Sequence, residues 1–160
     1  MINYMIRTTL LTILFSMATF VGYAKEPSNV EKAVNEIVKK YEDEKGVTSM
    51  TLVRGKGLEI IKLMLNKEFG KSFMKGVTSV TIIDYSDASE SICKSLKNEL
   101  NVFNTLLKEF DLSKEDKFSD SAYVRCFTSE YSGTLSDFVI ALEDDKSKII
   151  MYMAGIIIIE

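Results

Sequence analysis

The apolar positions of this chain change period from block to block. From Val30 to Glu44, the residues Val30, Val34, Ile37, Val38 and Tyr41 recur at steps near three and four, which is one face of a helix. Ser28 or Asn29 stands where its N-cap belongs. In Gly57–Phe69, Leu58, Ile61, Leu65 and Phe69 form a second apolar face, widened by Ile60 and Met64. Asp87–Phe110 carries the longest helical pattern, through Ile92, Leu96, Leu100, Phe103, Leu107 and Phe110. Asp87 and Glu90 resemble a capping pair at its start.

Between the helical blocks the period drops to two. The stretch Lys45-Gly46-Val47-Thr48-Ser49-Met50-Thr51-Leu52-Val53 recurs as Lys75-Gly76-Val77-Thr78-Ser79-Val80-Thr81-Ile82-Ile83, offset by 30 residues. Both copies alternate, are β-branched and follow a helix-ending Lys-Gly. The unit Val47–Tyr85 therefore predicts a strand-helix-strand crossover with parallel strands and a right-handed connection. Residues 111–121 read as a polar surface connection. Ala122–Thr128 and Leu135–Leu142 read as strands, with a turn at Gly133. Glu143-Asp144-Asp145-Lys146 reads as an acidic turn, and Lys148–Ile159 as a buried central strand. The order α-β-α-β-α-β-β-β predicts an α+β fold: a mixed sheet of about five strands, helices mainly on one face. A bare second face is a candidate binding surface.

The amino terminus has a different character. Met1–Arg7 carries one positive charge, Thr8–Val21 is apolar, and Gly22-Tyr23-Ala24 is a small-x-small cleavage pattern before polar Lys25-Glu26-Pro27-Ser28. These are the parts of a secretory signal in order. The expected organisation is a signal peptide at 1–24 and one α+β domain at 25–160. The apolar run is short for a spanning helix, and no cysteine follows it for lipid attachment. The expected product is periplasmic or secreted, without a stable membrane anchor after cleavage.

Composition narrows the chemistry. Hydrophobic residues make up 46% of the chain, enough for a packed core. The formal charge is −3 with no basic cluster, which disfavours nucleic acid as a partner. There is no histidine, which removes Ser-His-Asp and Cys-His catalysis and the His-containing zinc sites. Carboxylate, lysine and tyrosine chemistry stay open. Cys93 and Cys126 form no CxxC motif.

The strand Lys45-Gly46-Val47-Thr48-Ser49-Met50, the segment Leu135-Ser136-Asp137-Phe138-Val139-Ile140 and the closing Ile149–Gly155 strand together resemble a family of small exported proteins and lipoproteins of the Bacteroidota, grouped as a domain of unknown function. The likeness runs over most of residues 30–157. Members carry a "KGVTSVYIS"-type strand, a long helix and a C-terminal strand pair around an acidic turn, matched here by Glu143–Lys146. This chain departs by lacking the lipobox cysteine of many members and by repeating Lys-Gly-Val-Thr-Ser at 75–79. The resemblance implies an exported α+β domain and carries over no catalytic residue.

Five places are candidates for function, each beside a plainer reading. Arg54-Gly55-Lys56-Gly57 joins a strand to a helix start and suits an anion, or simply a tight turn. Asp84, Asp87 and Glu90 are a weak calcium candidate, or helix capping. Glu143, Asp144 and Asp145 make a solvated acidic turn unless a cation or basic partner arrives. Cys93 and Cys126 pair as a disulfide if the long helix lies over the strand of Cys126, or stay as buried thiols. Tyr123, Arg125 and Phe127 have the composition of a partner surface, or belong to the core.

No cofactor is expected. The reading that follows is an exported, non-catalytic binding or interaction module of the cell envelope, its partner an envelope protein or a small ligand. One alternative is a carrier of an apolar or lipid-like ligand. The other is a carboxylate-dependent hydrolase of envelope glycans, which needs two carboxylates facing across a cleft.

Overall fold

A computed structural model describes residues 27–69, 71–110, 123–131 and 134–157. The signal segment 1–24, the connection 111–121 with Ala122, and the Gly133 turn lie outside the described residues.

The fold is α+β. Helix α1 (Asn29–Tyr41) leads to strand β1 (Thr48–Leu52), helix α2 (Lys56–Phe69) and strand β2 (Gly76–Asp84). Helix α3 (Glu90–Glu99) runs through a 3₁₀ turn (Leu100–Val102) into the short α4 (Phe103–Leu106). Strands β3 (Lys108–Phe110), β4 (Tyr123–Tyr131), β5 (Thr134–Glu143) and β6 (Lys148–Ile157) follow. The six strands form one sheet in the order β1-β2-β6-β5-β4-β3.

The two copies of the repeated segment are β1 and β2, and they are neighbours, but they pair antiparallel. The parallel crossover expected from the sequence is thus corrected. The segment holding α2 returns the chain to the end of β1 that it left, so β2 starts beside Leu52 and runs back toward Thr48. Each remaining neighbouring pair is antiparallel too.

The long helical pattern is also shorter than its spacing implies. It breaks after Leu106, and Leu107 turns extended so that residues 108–110 become an edge strand against β4. Stripe residues Leu96, Leu100 and Phe103 are fully buried. Each contributes roughly 2 kcal/mol of apolar burial. The helix N-cap is Ser89, whose hydroxyl accepts from Ile92 N–H at 3.4 Å, not the expected Asp87. At α1 the cap is Ser28, accepting from Glu31 N–H at 3.1 Å.

Side-chain alternation along the strands divides the interior into two cores. On one face, α1 and α3 cover Ile83, Phe127, Val139, Ala141, Ile150 and Tyr152. Tyr41 of α1 reaches Ser95 of α3 at 2.6 Å, which clamps the two helices together. On the other face, Leu58, Ile61 and Leu65 of α2 pack with Leu52, Val80, Ile82, Met151 and Met153. The second face is therefore not bare where α2 lies on it. Ile60, expected to widen the apolar stripe of α2, faces outward instead.

Gly46 shows why the Lys-Gly pair precedes β1. Its φ is +84°, and a Cβ there would stand 2.2 Å from the Asp87 carbonyl oxygen. Glycine lets the chain leave α1 and pass under the β2–α3 loop. Gly76, its counterpart in the second copy, has no positive φ; there a Cβ would meet the Ile156 carbonyl oxygen at 2.6 Å.

Candidate functional site

Two places hold side chains that the fold does not fully consume: a polar cluster inside the α3 face and an outward stripe on α2.

The cluster forms where α3 crosses the β5–β6 turn. Asp144 builds that turn, its Oδ1 accepting from the backbone N–H groups of Lys146 and Ser147, both at 2.8 Å. Glu143 and Lys148 are opposite each other in the β5–β6 register and so share the α3 face. The Glu143 carboxylate lies 2.8 Å from Lys97 Nζ of α3 and 4.0 Å from Lys148 Nζ. The ion pair with Glu143 raises the Lys97 pKa. Lys97 also sits over the Tyr123 ring, 5.2 Å from its centroid.

Cys93 lies beneath this ion pair. Its thiol is 3% exposed and faces the Ala88 and Tyr85 carbonyls at 3.7 and 3.9 Å. Lys148 Nζ donates to Cys93 Sγ at 3.3 Å. Tyr85 is fully buried, and its hydroxyl has no hydrogen-bond partner among the described residues. Burial foremost, then the Glu143 carboxylate and Cys93, hold its phenol well above the usual range. Lys97, Glu143, Lys148 and Tyr85 are not brought together by any pattern in the sequence. Lys148 and Glu143 flank a turn, the one signal that places them side by side.

The stripe on α2 is simpler. Lys56, Ile60, Leu63 and Lys67 follow one another at helical spacing and are exposed. Leu63 is 71% exposed and Ile60 40%. Val53, at the end of β1, is 53% exposed. Arg54 and Lys56, the cations of the expected anion loop, are exposed at the same strand-to-helix junction. There Gly55 has φ +91° and its carbonyl accepts from Glu59 N–H, which closes the first turn of α2. Leu63 escapes the sequence reading because it breaks the core stripe of α2. An apolar residue on the polar side of a helix is the available signal.

The remaining candidates separate. Asp84 accepts from Ser86 N–H at 2.9 Å and from Ser86 Oγ at 2.6 Å. Asp87 and Glu90 are exposed. Among the described residues no three His, Cys, Asp or Glu side chains are grouped to hold a metal ion. Cys93 and Cys126 are free thiols on opposite faces of the sheet, so the disulfide is corrected. Alternation along β4 is the reason: Phe127 faces the helix, 5.8 Å from Phe103, and Cys126 must point away.

The expected partner surface at Tyr123, Arg125 and Phe127 is corrected too, because Phe127 is fully buried. Arg125 lies over its ring at 4.7 Å and forks to Glu109 at 2.7 and 2.9 Å. It also reaches Asn101 at 3.0 Å and Asn104 at 3.3 Å. Its task is to hold β3 and the 3₁₀–α4 segment against β4.

No described helix is long and apolar enough to cross a membrane. No family model, no curated protein and no solved structure matches the chain.

Proposed function

We propose that this chain is an exported, non-catalytic interaction module of the cell envelope, docking a partner protein on the outer face of α2. The observation that carries the reading is the exposed pair Ile60 and Leu63, set in one stripe between Lys56 and Lys67. An apolar centre with a basic rim suits a partner with apolar anchors and acidic neighbours. The signal-like segment 1–24 and the likeness of Lys45–Met50 to exported Bacteroidota proteins support the compartment.

The carboxylates support the absence of catalysis. Asp84 pairs with Ile149 in the register and shares its face, whereas Glu143 pairs with Lys148 on the opposite face. They do not face each other across a cleft, as a glycan hydrolase needs. Glu143 is held by lysines, and Asp84 and Asp144 by local turns. The carrier reading finds its proposed space filled, with Leu96, Leu100, Phe103, Phe127 and Val139 fully buried between helix and sheet.

The test is a photo-crosslinking residue at position 63 in the expressing cell. A discrete envelope adduct is expected, weakened by Ile60→Asp, with none from the same probe at exposed Glu36 of α1. Equal labelling at both positions, or none at 63, sinks the proposal. Mature protein starting at Lys25 is expected in the same sample.

A further inference from the structure

We propose that Cys93 and Lys148 are a modification site, joined under peroxide by one oxygen atom that bridges Cys93 Sγ to Lys148 Nζ. The two atoms are 3.3 Å apart, although their residues are 55 apart in sequence. A sulfenic acid formed at Cys93 has no thiol to resolve it within the chain, because Cys126 lies across the sheet. Lys148 is the nucleophile in contact with it.

The surroundings fit an inserted oxygen. Glu143 is 4.0 Å from Lys148 Nζ and can take the proton the ammonium must shed. The buried Tyr85 hydroxyl has no partner, and Cys93 and Glu143 both act on it electrostatically. A buried hydroxyl left without a partner is unfavourable. Cys93 is 3% exposed and the Lys148 side chain 27%, so the sulfur is covered while the amine opens toward solvent, the side from which peroxide enters.

Two molecules of hydrogen peroxide supply the oxidation. The Cys93 thiolate attacks the first; an S–O bond forms, the O–O bond breaks, and water leaves a sulfenic acid. The neutral Lys148 amine takes oxygen from the second; an N–O bond forms, the O–O bond breaks, and water leaves a hydroxylamine. The hydroxylamine oxygen then attacks the sulfenic sulfur and expels a third water. Sulfur and nitrogen each lose two electrons, and the two peroxides are reduced. Two equivalents of a dithiol reductant reverse the change, regenerating thiol and amine with release of water.

The experiment is intact-mass and tryptic mapping of the purified full chain after hydrogen peroxide, before and after dithiothreitol. A gain of about 14 Da is expected, one oxygen added and two hydrogens lost, in a linked peptide pair holding Cys93 and Lys148. Dithiothreitol removes it. Cys126→Ser retains the product; Cys93→Ser and Lys148→Arg abolish it. An unmodified chain, or Cys93 carried to sulfinic acid with Lys148 free, overturns the proposal, and so does a linked product that persists in Lys148→Arg. The outcome on purified protein is independent of the docking reading of α2.

Discussion

Thr51 and Thr81 are the same residue of the two repeated segments, and they stand directly opposite each other, their hydroxyls 2.9 Å apart. The pairing of Met50 with Ile82 and of Leu52 with Val80 is arranged around them. β1 and β2 are therefore related by a local two-fold axis passing between these threonines. Thr81 is buried and Thr51 exposed, so the symmetry of sequence is broken by surroundings. Thr81→Val is expected to cost about 1 kcal/mol in urea unfolding, the net value of a hydrogen bond. Thr51→Val/Thr81→Val together should cost less than the sum, since both β-branched residues still fit the strands. Strict additivity would show that the hydroxyls do not interact.

Gly46 and Gly55 both have positive φ, but their surroundings differ. A Cβ on Gly46 meets the Asp87 carbonyl at 2.2 Å, and one on Gly55 meets nothing within 4 Å. Gly55→Ala is expected to cost about 1 kcal/mol, the left-handed backbone penalty alone. Gly46→Ala should cost on the order of 3 kcal/mol, adding the forced movement of the β2–α3 loop. Thermal midpoints of the two variants give the comparison, and equal shifts would contradict it.

The Arg125 fork holds the Glu109 carboxyl below its ordinary value of 4.5. A depressed carboxylate contributes stability that is complete above its unfolded pKa and is lost as pH falls through the lower, folded one. Denaturant midpoints measured from pH 6 down to pH 3 should therefore fall less steeply in Glu109→Gln than in the parent. Glu109 is 41% exposed on its side chain, so the difference is expected to stay below about 1 kcal/mol. A parallel pair of pH profiles would remove the ion pair from the account.

Cys126 should be a free thiol that is slow to react in the folded chain. Burial first, then Glu109, pushes the Cys126 thiol up to about 12. The sign follows from the neutral form being favoured when folded: the contribution is complete below the ordinary value of 9.0 and is lost progressively as pH rises from there through the raised one. An Ellman titration of Cys93→Ser at pH 8 should register Cys126 only after denaturant is added. Prompt reaction of Cys126 in native buffer would contradict its burial.

Much of the fold is legible in the sequence because burial imposes period. Val34, Ile61, Leu96 and Val80 announce their elements by spacing alone, and each is buried. Strand direction is not legible: a helix between two strands serves a parallel crossover or an antiparallel return, and Thr48–Leu52 reads the same in either. Leu107 and Phe110 continue a helical stripe, yet pairing with Thr128 and Cys126 recruits Lys108–Phe110 into the sheet. The Cys93–Lys148 contact joins residues far apart in sequence, so no local spacing reveals it. Leu63 is visible as a residue but not as a surface, because the covered side of α2 is set by the sheet.

β6 lies in the middle of the sheet, between β2 and β5. Until residues 148–157 leave the ribosome, those two strands have no shared neighbour, and neither core has its central wall. Synthesis therefore runs well ahead of closure. On the export reading proposed above, the chain has to pass through a narrow translocation pore, and the keystone strand, made after the other described strands of the sheet, leaves this domain threadable until then.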